Sequence, residues 1–259
     1  MPPTALIHVE TMPTPKPSPN PLVLQQLAPG GVLRAGINMS NFLLVNGKTD
    51  SGDPVGVSPS MAAEVARLMG VPLQLVPFAN PGLLADAAGT DAWDIGLLGA
   101  DPLRSQTSTF TPAYCEIEAS YLVPPGSRLK CVADVDQPGV TIAVFARSAY
   151  GLWLERNHQH ATLLRCDAGG AALDRYLNEK VDALAGLRPG LIGDLAKAPG
   201  HVILPGGFMA VQQAIGCGKG RPEAEAFLRD FVENAKASGL VASLIAQHKV
   251  QGLSVAPAA

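Results

Sequence analysis

Few residues in this sequence have the types and the spacing that catalysis requires. Glu116 and Glu118 lie two positions apart in a segment predicted to be a strand, so their carboxylates share one face. Paired carboxyl groups can transfer protons to and from a substrate, although solvent-exposed carboxylates on a strand are the more common case. The sequence has no Gly-x-Ser-x-Gly motif, no phosphate-binding loop and no dinucleotide-binding glycine pattern. These residues give little support to catalysis.

Arg104 follows an apolar segment and stands three residues after Asp101. A guanidinium is charged at any physiological pH and offers a planar pair of donors that fits a carboxylate. From the residues alone, an ion pair with Asp101 at the start of a short helix is the simpler interpretation. Ser148 opens another predicted helix, where a hydroxyl and free backbone N–H groups suit an anion or serve as an ordinary N-cap.

Metal chemistry has no support in the spacing of the cysteines and histidines. The cysteines are spread over about a hundred residues without a Cys-x-x-Cys pair, and no cluster of cysteine and histidine has metal-ligand spacing. The closest histidines, His158 and His160, fall on different faces of a helix. We therefore predict neither a metal site nor a cofactor.

The overall composition excludes several classes of partner. Among 259 residues, 19 lysines and arginines stand against 22 aspartates and glutamates, which gives a formal net charge of -3 and no basic surface for nucleic acid. No apolar run approaches the roughly 18 to 20 residues that span a bilayer, so a membrane-embedded protein is excluded. The chain is long enough to bury a substantial core.

Residues 1–28 contain seven prolines and two charged residues. This composition predicts a disordered tail, and Glu10 and Lys16 interrupt any apolar core of the kind that an export signal needs. The sequence therefore shows no readable export signal, and we expect the chain to remain in the cytoplasm unless an upstream leader exists.

Beyond this tail, short apolar runs alternate with amphipathic segments, which is typical of an α/β fold. Strands are predicted at residues 32–37, 73–76 and 93–98. Three helices of the first half are predicted to begin at a cap residue followed by proline, at Ser58-Pro59, Asn80-Pro81 and Asp101-Pro102.

A second alternating set follows an extended run at residues 121–126, which we interpret as a crossing between domains. Two such sets predict two lobes with a binding site in the cleft between them. The strands of the second half are predicted at residues 141–145, 163–165, 181–185 and 210–216, and its last helices at 222–238 and 240–248.

Four stretches of this pattern resemble the family 3 extracellular solute-binding proteins, the type II periplasmic binding proteins for polar amino acids. The most specific is residues 92–114, where an apolar strand, the turn Asp101-Pro102-Leu103-Arg104 and an aromatic pair follow one another in the order of the family. The resemblance covers about residues 29–250. The other stretches that carry it are residues 57–70, 139–150 and 212–250.

The resemblance implies two α/β lobes joined by two hinge strands that close around a ligand. Lobe 1 would contain residues 29–123 and 210–259, and lobe 2 would contain residues 124–209. The resemblance also implies that Arg104 holds a carboxylate of the ligand. The other ligand-binding residues expected on this basis are Ser148, Ala149, Asp101, Gly99, Asn38, Asn80, Leu187 and Glu116.

Two positions depart from the pattern of the family. Its amino-acid binders usually have a carboxylate for the ligand ammonium where Leu187 stands, and several have an aspartate where Asn38 stands. An unpaired ammonium in a closed cleft would cost roughly 2 to 5 kcal/mol. Either Asp101, Glu116 or Glu118 replaces the missing acid, or the ligand carries no ammonium. We rank a small carboxylate first and a standard α-amino acid second.

The resemblance implies a non-catalytic receptor that passes its ligand to the permease of an ABC importer, and we expect a monomer that lies in the periplasm if it is exported. The alternative is a cyclohexadienyl dehydratase-like enzyme on the same scaffold, in which Glu116 or Glu118 would protonate a leaving hydroxyl. The ligand-binding part of a regulator is less favoured, because no helix-turn-helix or basic segment is visible in the sequence.

Overall fold

The computed structural model describes residues 20–259, in which helices alternate with short strands. The helices of this part of the chain are α1 (Pro21–Leu27), α2 (Val57–Met69), α3 (Pro81–Asp86), α4 (Ala149–Asn157), α5 (Gly169–Asn178), α6 (Arg188–Asp194), α7 (Pro222–Ala237) and α8 (Leu240–Gln247). The strands are β1 (Leu33–Asn38), β2 (Gly47–Lys48), β3 (Pro54–Val55), β4 (Leu73–Phe78), β5 (Ile95–Gly99), β6 (Ser108–Phe110), β7 (Cys115–Val123), β8 (Thr141–Phe145), β9 (Thr162–Cys166), β10 (Ala183–Leu187), β11 (Val202–Ile203), β12 (Met209–Gly218) and β13 (Ser254–Val255).

The predicted disordered tail and the predicted lack of an export signal concern residues that lie mostly outside the described range. The end of that tail is inside it and forms α1, so the prediction of disorder up to residue 28 is wrong there. The helix forms because Asn20 caps its first turn and because Val23 and Leu27 are buried. None of the helices in the described part of the chain is long and apolar enough to cross a membrane.

Within residues 20–259, eleven strands form one continuous sheet, and eight of them follow one another in the order β4-β1-β5-β12-β7-β10-β8-β9. β4, β1 and β5 are parallel at one end, and β10, β8 and β9 are parallel at the other. Between them, β12 and β7 pair with each other antiparallel, from Met209 opposite Ala119 to Gln213 opposite Cys115. β6 adds to β12, and β11 and β13 add to β7, whereas β2 and β3 form a separate pair.

Separate hydrophobic cores divide this sheet into two lobes. One core collects side chains from β1, β5, α2 and α7, and another collects them from β8, β10 and α4. We call the part around β4, β1 and β5 lobe 1, and the part around β10, β8 and β9 lobe 2. β7 belongs to both, because Ile117 lies in the first core and Tyr121 in the second. The predicted bilobal α/β fold is confirmed.

Two of the predicted helix starts follow strand ends of lobe 1. Asn80 caps α3 as predicted, since its Oδ1 accepts a hydrogen bond from the Leu83 N–H at 2.9 Å. Asp101 accepts one from the Leu103 N–H at 2.8 Å, but only a 3₁₀ turn at Arg104–Gln106 follows. The helix predicted there is therefore replaced by a single turn.

The start of α2 differs from the prediction. The helix is capped by Gly56, and the hydroxyl of Ser58 instead lies 2.9 Å from the Tyr114 hydroxyl in the core. Gly56 has a φ of 154°, and a side chain there would overlap the Leu44 carbonyl. The backbone can therefore enter α2 in this conformation only with glycine at the cap, because the Cβ atom of a serine there would clash.

His158 and His248 make the fold sensitive to acid. His158 has its Nε2 3.0 Å from the Tyr121 hydroxyl, and its buried Nδ1 has no hydrogen-bond partner among the described residues. Burial lowers the pKa of His158, and the attraction of Asp136, whose Oδ1 lies 3.9 Å from Nδ1, opposes this only in part. Burial also lowers the pKa of His248.

We therefore expect the free energy of unfolding to fall as the pH drops below about 6.5, the ordinary pKa of histidine. In that range the unfolded chain binds protons that the folded chain does not, so acid favours unfolding. Chemical denaturation at about pH 7.5 and about pH 5.5 measures the difference in unfolding free energy between the two conditions. His158→Gln should make this difference smaller. Equal unfolding free energies of the native sequence at both pH values would contradict this expectation.

Candidate ligand-binding site

A cavity of about 590 Å³ lies between the two lobes. Strand ends from both lobes line it: Asn38 ends β1, Gly99 ends β5, Phe145 ends β8 and Leu187 ends β10. The carboxyl ends of strands are the usual ligand sites of open α/β sheets. The cavity is also lined by Asn41, Phe42, Asn80, Arg104, Ser148, Ala149, Tyr150, Asp167, Asp194 and Gln213.

Arg104 brings a buried guanidinium to the wall of this cavity. The residue is 5% exposed, its Nη1 donates to the Gly99 carbonyl at 2.5 Å, and its Nη2 donates to the Arg147 carbonyl at 2.7 Å. Burial lowers the pKa of Arg104 to about 10, against an opposing attraction from Asp101, so the group stays charged at neutral pH. Two of its five N–H donors are used, and no carboxylate of the described residues forms an ion pair with it. The remaining donors can bind an anion.

Asp101 pairs with an arginine of the other lobe instead of with Arg104. Its carboxylate accepts hydrogen bonds from Arg156 Nη1 at 3.1 Å and Nη2 at 2.6 Å, and from the Leu103 N–H. Asp101 does not line the cavity. The structure therefore corrects both interpretations of Asp101, as the partner of Arg104 and as a ligand-binding residue, because its oxygens are already occupied.

Glu116 also lies away from the cavity. In the pairing of β7 with β12, Cys115 lies opposite Gln213, which lines the cavity. Successive residues of a strand point to opposite faces, so Glu116 occupies the other face of the sheet. Glu118 shares that face and forms an ion pair with Arg188 at 2.6 Å. This corrects the prediction for Glu116 and removes both carboxylates as substitutes for the missing acid.

The hydroxyl of Ser148 caps α4 and has no proton left for an anion, because it donates to the Phe145 carbonyl. Its Oγ accepts a hydrogen bond from the Gly151 N–H at 3.0 Å and donates one to the Phe145 carbonyl at 2.7 Å. Ser148 and Ala149 both line the cavity. The first backbone N–H groups of a helix have no acceptor within the helix itself. The capacity for an anion that we predicted here therefore rests on backbone N–H groups.

Three asparagines line the lobe 1 side of the cavity: Asn38, Asn80 and Asn41, of which the last was not predicted. In each, Oδ1 accepts a hydrogen bond from a backbone N–H two or three residues further on, at 2.9 to 3.2 Å. Each of these asparagines therefore bonds the backbone of a turn or helix start and also lines the cavity. Each amide keeps its NH₂ group as a donor.

Gly99 lies at a close approach of the two lobes. A Cβ atom there would lie 2.9 Å from the Ala149 Cβ of lobe 2 and 3.0 Å from Val211 Cγ1. The carbonyl of Gly99 also accepts the hydrogen bond from Arg104. Glycine therefore permits both the approach of the lobes and the position of the guanidinium.

The position of the missing acid is occupied by Leu187, which lines the cavity at the end of β10. Two acids among the described residues line the cavity elsewhere, Asp167 and Asp194, and both belong to lobe 2. Burial raises the pKa of Asp194. The pKa of Arg104 is affected chiefly by burial, and among charged residues by Asp101, which is already paired, and by Arg147.

Sequence reasoning missed Gln213, Tyr150 and Phe42. Gln213 is 3% exposed within the mostly buried strand β12, and a glutamine in such a strand could have signalled a site because buried polar groups need partners. Tyr150 is buried in the first turn of α4, and burial raises its pKa to about 12, so it lines the cavity with a neutral hydroxyl. Phe42 is exposed in the loop after β1, where no periodic pattern marks it.

A family model for bacterial extracellular solute-binding proteins, family 3, matches residues 34–251. Among curated proteins, no sequence matches this chain significantly. The matched range runs from β1 to beyond α8, and so includes both lobes and the cavity between them.

Solved structures share the fold. A mutant of ArgBP from T. maritima has a TM-score of 0.70 and 21% identity, with 88% of this chain and 100% of that chain covered. A protein from Wolinella succinogenes DSM 1740, described as a binding component of an ABC transporter and complexed with lysine, has a TM-score of 0.69 and 25% identity, with 85% and 97% covered. An ancestral amino acid-binding protein, a precursor of cyclohexadienyl dehydratase, has a TM-score of 0.69 and 19% identity, with 87% and 98% covered. The match of the family model over both lobes means that this chain belongs to the bacterial extracellular solute-binding proteins, family 3.

Proposed function

We propose that this chain captures a small carboxylate, an amino acid or a related organic acid, in the cavity between its lobes, and that it is a non-catalytic receptor for an ABC importer. The observation that carries this proposal is the buried guanidinium of Arg104, which lines the cavity without a carboxylate partner among the described residues. A buried charge without a partner is costly, and an anionic ligand removes that cost.

Hinge closure about β7 and β12 is the proposed motion. Contacts that cross the cleft support a closed state: Arg147 of lobe 2 pairs with Asp86 of α3 at 2.5 Å, and Arg156 of α4 pairs with Asp101 at 2.6 Å. Arg104 adds its hydrogen bond to the Arg147 carbonyl. The proposed lobe boundaries, between residues 123 and 124 and between 209 and 210, fall at the end of β7 and at the start of β12. The cores place the change of lobe earlier in β7, between Ile117 and Tyr121.

The relatives support the ligand class and the partner. One solved structure with the same fold is complexed with lysine and is described as part of an ABC transporter, and another is called an amino acid-binding protein. The family is extracellular, which supports a periplasmic location beside a permease. The net charge of -3 supports the expectation that the chain binds no nucleic acid. A monomer remains part of the proposal.

The acids predicted for the dehydratase alternative do not line the cavity, whereas Asp194, whose pKa burial raises, does. The alternative requires a carboxylic acid in the cleft that protonates a leaving group. Glu116 and Glu118, the predicted candidates, lie on the opposite face of the sheet from the cavity wall at Gln213. The related ancestral structure is itself described as an amino acid-binding protein.

Small-angle X-ray scattering with and without a bound carboxylate tests closure. We expect the ligand to reduce the radius of gyration of the native sequence. Gly99→Leu should abolish this change and weaken ligand affinity at least roughly tenfold, because the new side chain would hold Ala149 and lobe 2 away.

Gly30→Leu is the matched control, since Gly30 is exposed and a Cβ atom there would meet nothing within 4 Å. It should bind and compact like the native chain. Ligand binding without compaction would contradict hinge closure. Failure of all small carboxylates to bind would contradict the proposed function as a whole.

A further inference from the structure

Asp194 ends α6 and brings a carboxylate to the wall of the interlobe cavity. The residue is half-buried, its carboxylate forms no hydrogen bond or ion pair with the described residues, and both of its oxygens are accessible. Burial raises the pKa of Asp194, and the attraction of Lys197 opposes this effect. The cost of burying this charge is therefore only partly offset, and a ligand cation beside the carboxylate would stabilise its ionised form.

Apolar side chains separate Asp194 from the end of α6 that faces the cleft. Leu187, Leu191 and Asp194 stand at positions i, i+4 and i+7, so they share one side of the helix, and all three line the cavity. Leu173 of α5 lines it too. At 1.5 Å per residue, Asp194 lies roughly 10 Å beyond Leu187 along the helix. A leucine thus occupies the position of the missing acid, and a carboxylate follows it about two helical turns later.

Arg104 supplies the opposite charge from lobe 1. Its Nε is accessible and forms no hydrogen bond with the described residues, and Nη1 and Nη2 each keep one free N–H group. Close to this guanidinium, Ala149 of lobe 2 packs against Gly99. Burial is the largest cause of the raised pKa of the adjacent Tyr150, and the charge of Asp194 adds to it. The guanidinium and the carboxylate therefore border one continuous cavity.

The other charged groups of the described residues leave Asp194 as the acid for a cation. Asp167 and Lys197 line the cavity as well, so its lobe 2 side carries two negative charges and one positive charge. Asp167 stands just before the N-terminus of α5, whose positive dipole offsets its charge. Lys197 is exposed and forms no ion pair with Asp194. Arg147 does not line the cavity, and Asp86 neutralises it.

We infer that the cavity selects a ligand with a carboxylate at one end of an apolar chain and a positive charge at the other end; this inference rests on the proposed function. The carboxylate binds Arg104, methylene groups contact the leucines of α6, and the terminal cation donates to Asp194. Terminal amino acids and basic α-amino acids have this shape. A terminal ammonium contributes more than one on the carbon beside the carboxylate, because Leu187 occupies the position of the missing acid.

The test is isothermal titration calorimetry with six-carbon carboxylates that differ in the position of further charge. Hexanoate has none, norleucine has an α-ammonium, 6-aminohexanoate has a terminal ammonium, lysine has both, and adipate ends in a second carboxylate. The terminal ammonium should lower the Kd at least roughly tenfold, both from hexanoate to 6-aminohexanoate and from norleucine to lysine. The step from hexanoate to norleucine should be smaller, and adipate should bind more weakly than 6-aminohexanoate.

Variants in lobe 2 identify the group responsible. Asp194→Asn removes a charge that makes no hydrogen bond, so it should abolish the gain from the terminal ammonium and leave the Kd of norleucine within about twofold. Lys197→Met removes a competing cation and should tighten 6-aminohexanoate. Asp174→Asn is the matched control, since Asp174 is exposed on α5 and does not line the cavity. It should leave every Kd unchanged.

The outcomes separate this inference from the proposed function. If carboxylates bind but the terminal ammonium gives no gain, the inference is overturned and the proposed function stands. The same conclusion follows if Asp194→Asn weakens all the ligands equally, as a purely structural role would, or if Asp167→Asn abolishes the gain in its place. Failure of every carboxylate to bind the native chain overturns both.

Discussion

Replacement of Arg104 by alanine is expected to weaken carboxylate binding by about 2 to 5 kcal/mol, which is roughly 30-fold or more in Kd. The guanidinium is 5% exposed, so its attraction to a ligand anion is poorly screened by water. A thermal-shift screen of amino, hydroxy, oxo and dicarboxylic acids identifies the tightest ligand. Isothermal titration calorimetry with that ligand then measures the loss in the variant.

The free energy of unfolding of Arg104→Ala must be measured together with its ligand affinity. The substitution also leaves the carbonyls of Gly99 and Arg147 without their donor. Arg67→Ala is the matched control, because the Arg67 side chain is 57% exposed and pairs with Glu64 on α2. It should bind ligand like the native sequence. Unchanged affinity in a folded Arg104→Ala variant would show that the carboxylate is bound elsewhere.

Arg156→Met should lower the free energy of unfolding by about 2 to 3 kcal/mol, or about 5 to 10 °C in Tm. The Asp101 side chain is 2% exposed, so loss of Arg156 leaves a buried carboxylate without its partner. The expected loss is below that of a fully buried pair, because 37% of the Arg156 side chain is exposed. Thermal and chemical denaturation measure the effect.

A double-mutant cycle with Asp101→Asn isolates this cause. The double variant has no buried charge at position 101, so its stability should lie within about 1 kcal/mol of the native sequence. Ligand affinity should fall in Arg156→Met as well, since a free carboxylate at Asp101 would compete for the guanidinium of Arg104. A double variant as unstable as Arg156→Met alone would show that packing of the arginine stem is responsible.

Local features of the sequence were sufficient for most of the fold. Apolar strands, helix caps and proline positions depend on a few neighbouring residues, and Asn80 at the start of α3 is an example that the structure confirms. Ser58 was predicted as a cap by the same rule and is not one. Its hydroxyl contacts Tyr114, 56 residues away, which no local rule includes.

The candidate site was predictable where it depends on strand ends. Asn38, Gly99 and Leu187 end strands, the helix start at Ser148 follows one, and the carboxyl ends of these strands meet at the cavity. Phe42 lies in an irregular loop, so its position in the cavity wall follows from no sequence period.

Taken by itself, the sequence determined the bilobal α/β architecture, the family and the presence of an arginine after the third strand of lobe 1, because these follow from local patterns and from segment order. Only the tertiary structure decided which charges meet. Asp101 pairs with Arg156, 55 residues away, and leaves its near neighbour Arg104 to the cavity. Likewise, the register of β7 against β12 sends Glu116 to one face and Gln213 to the other. Register and lobe contact join residues far apart in the chain, so no stretch of sequence around either partner encodes them.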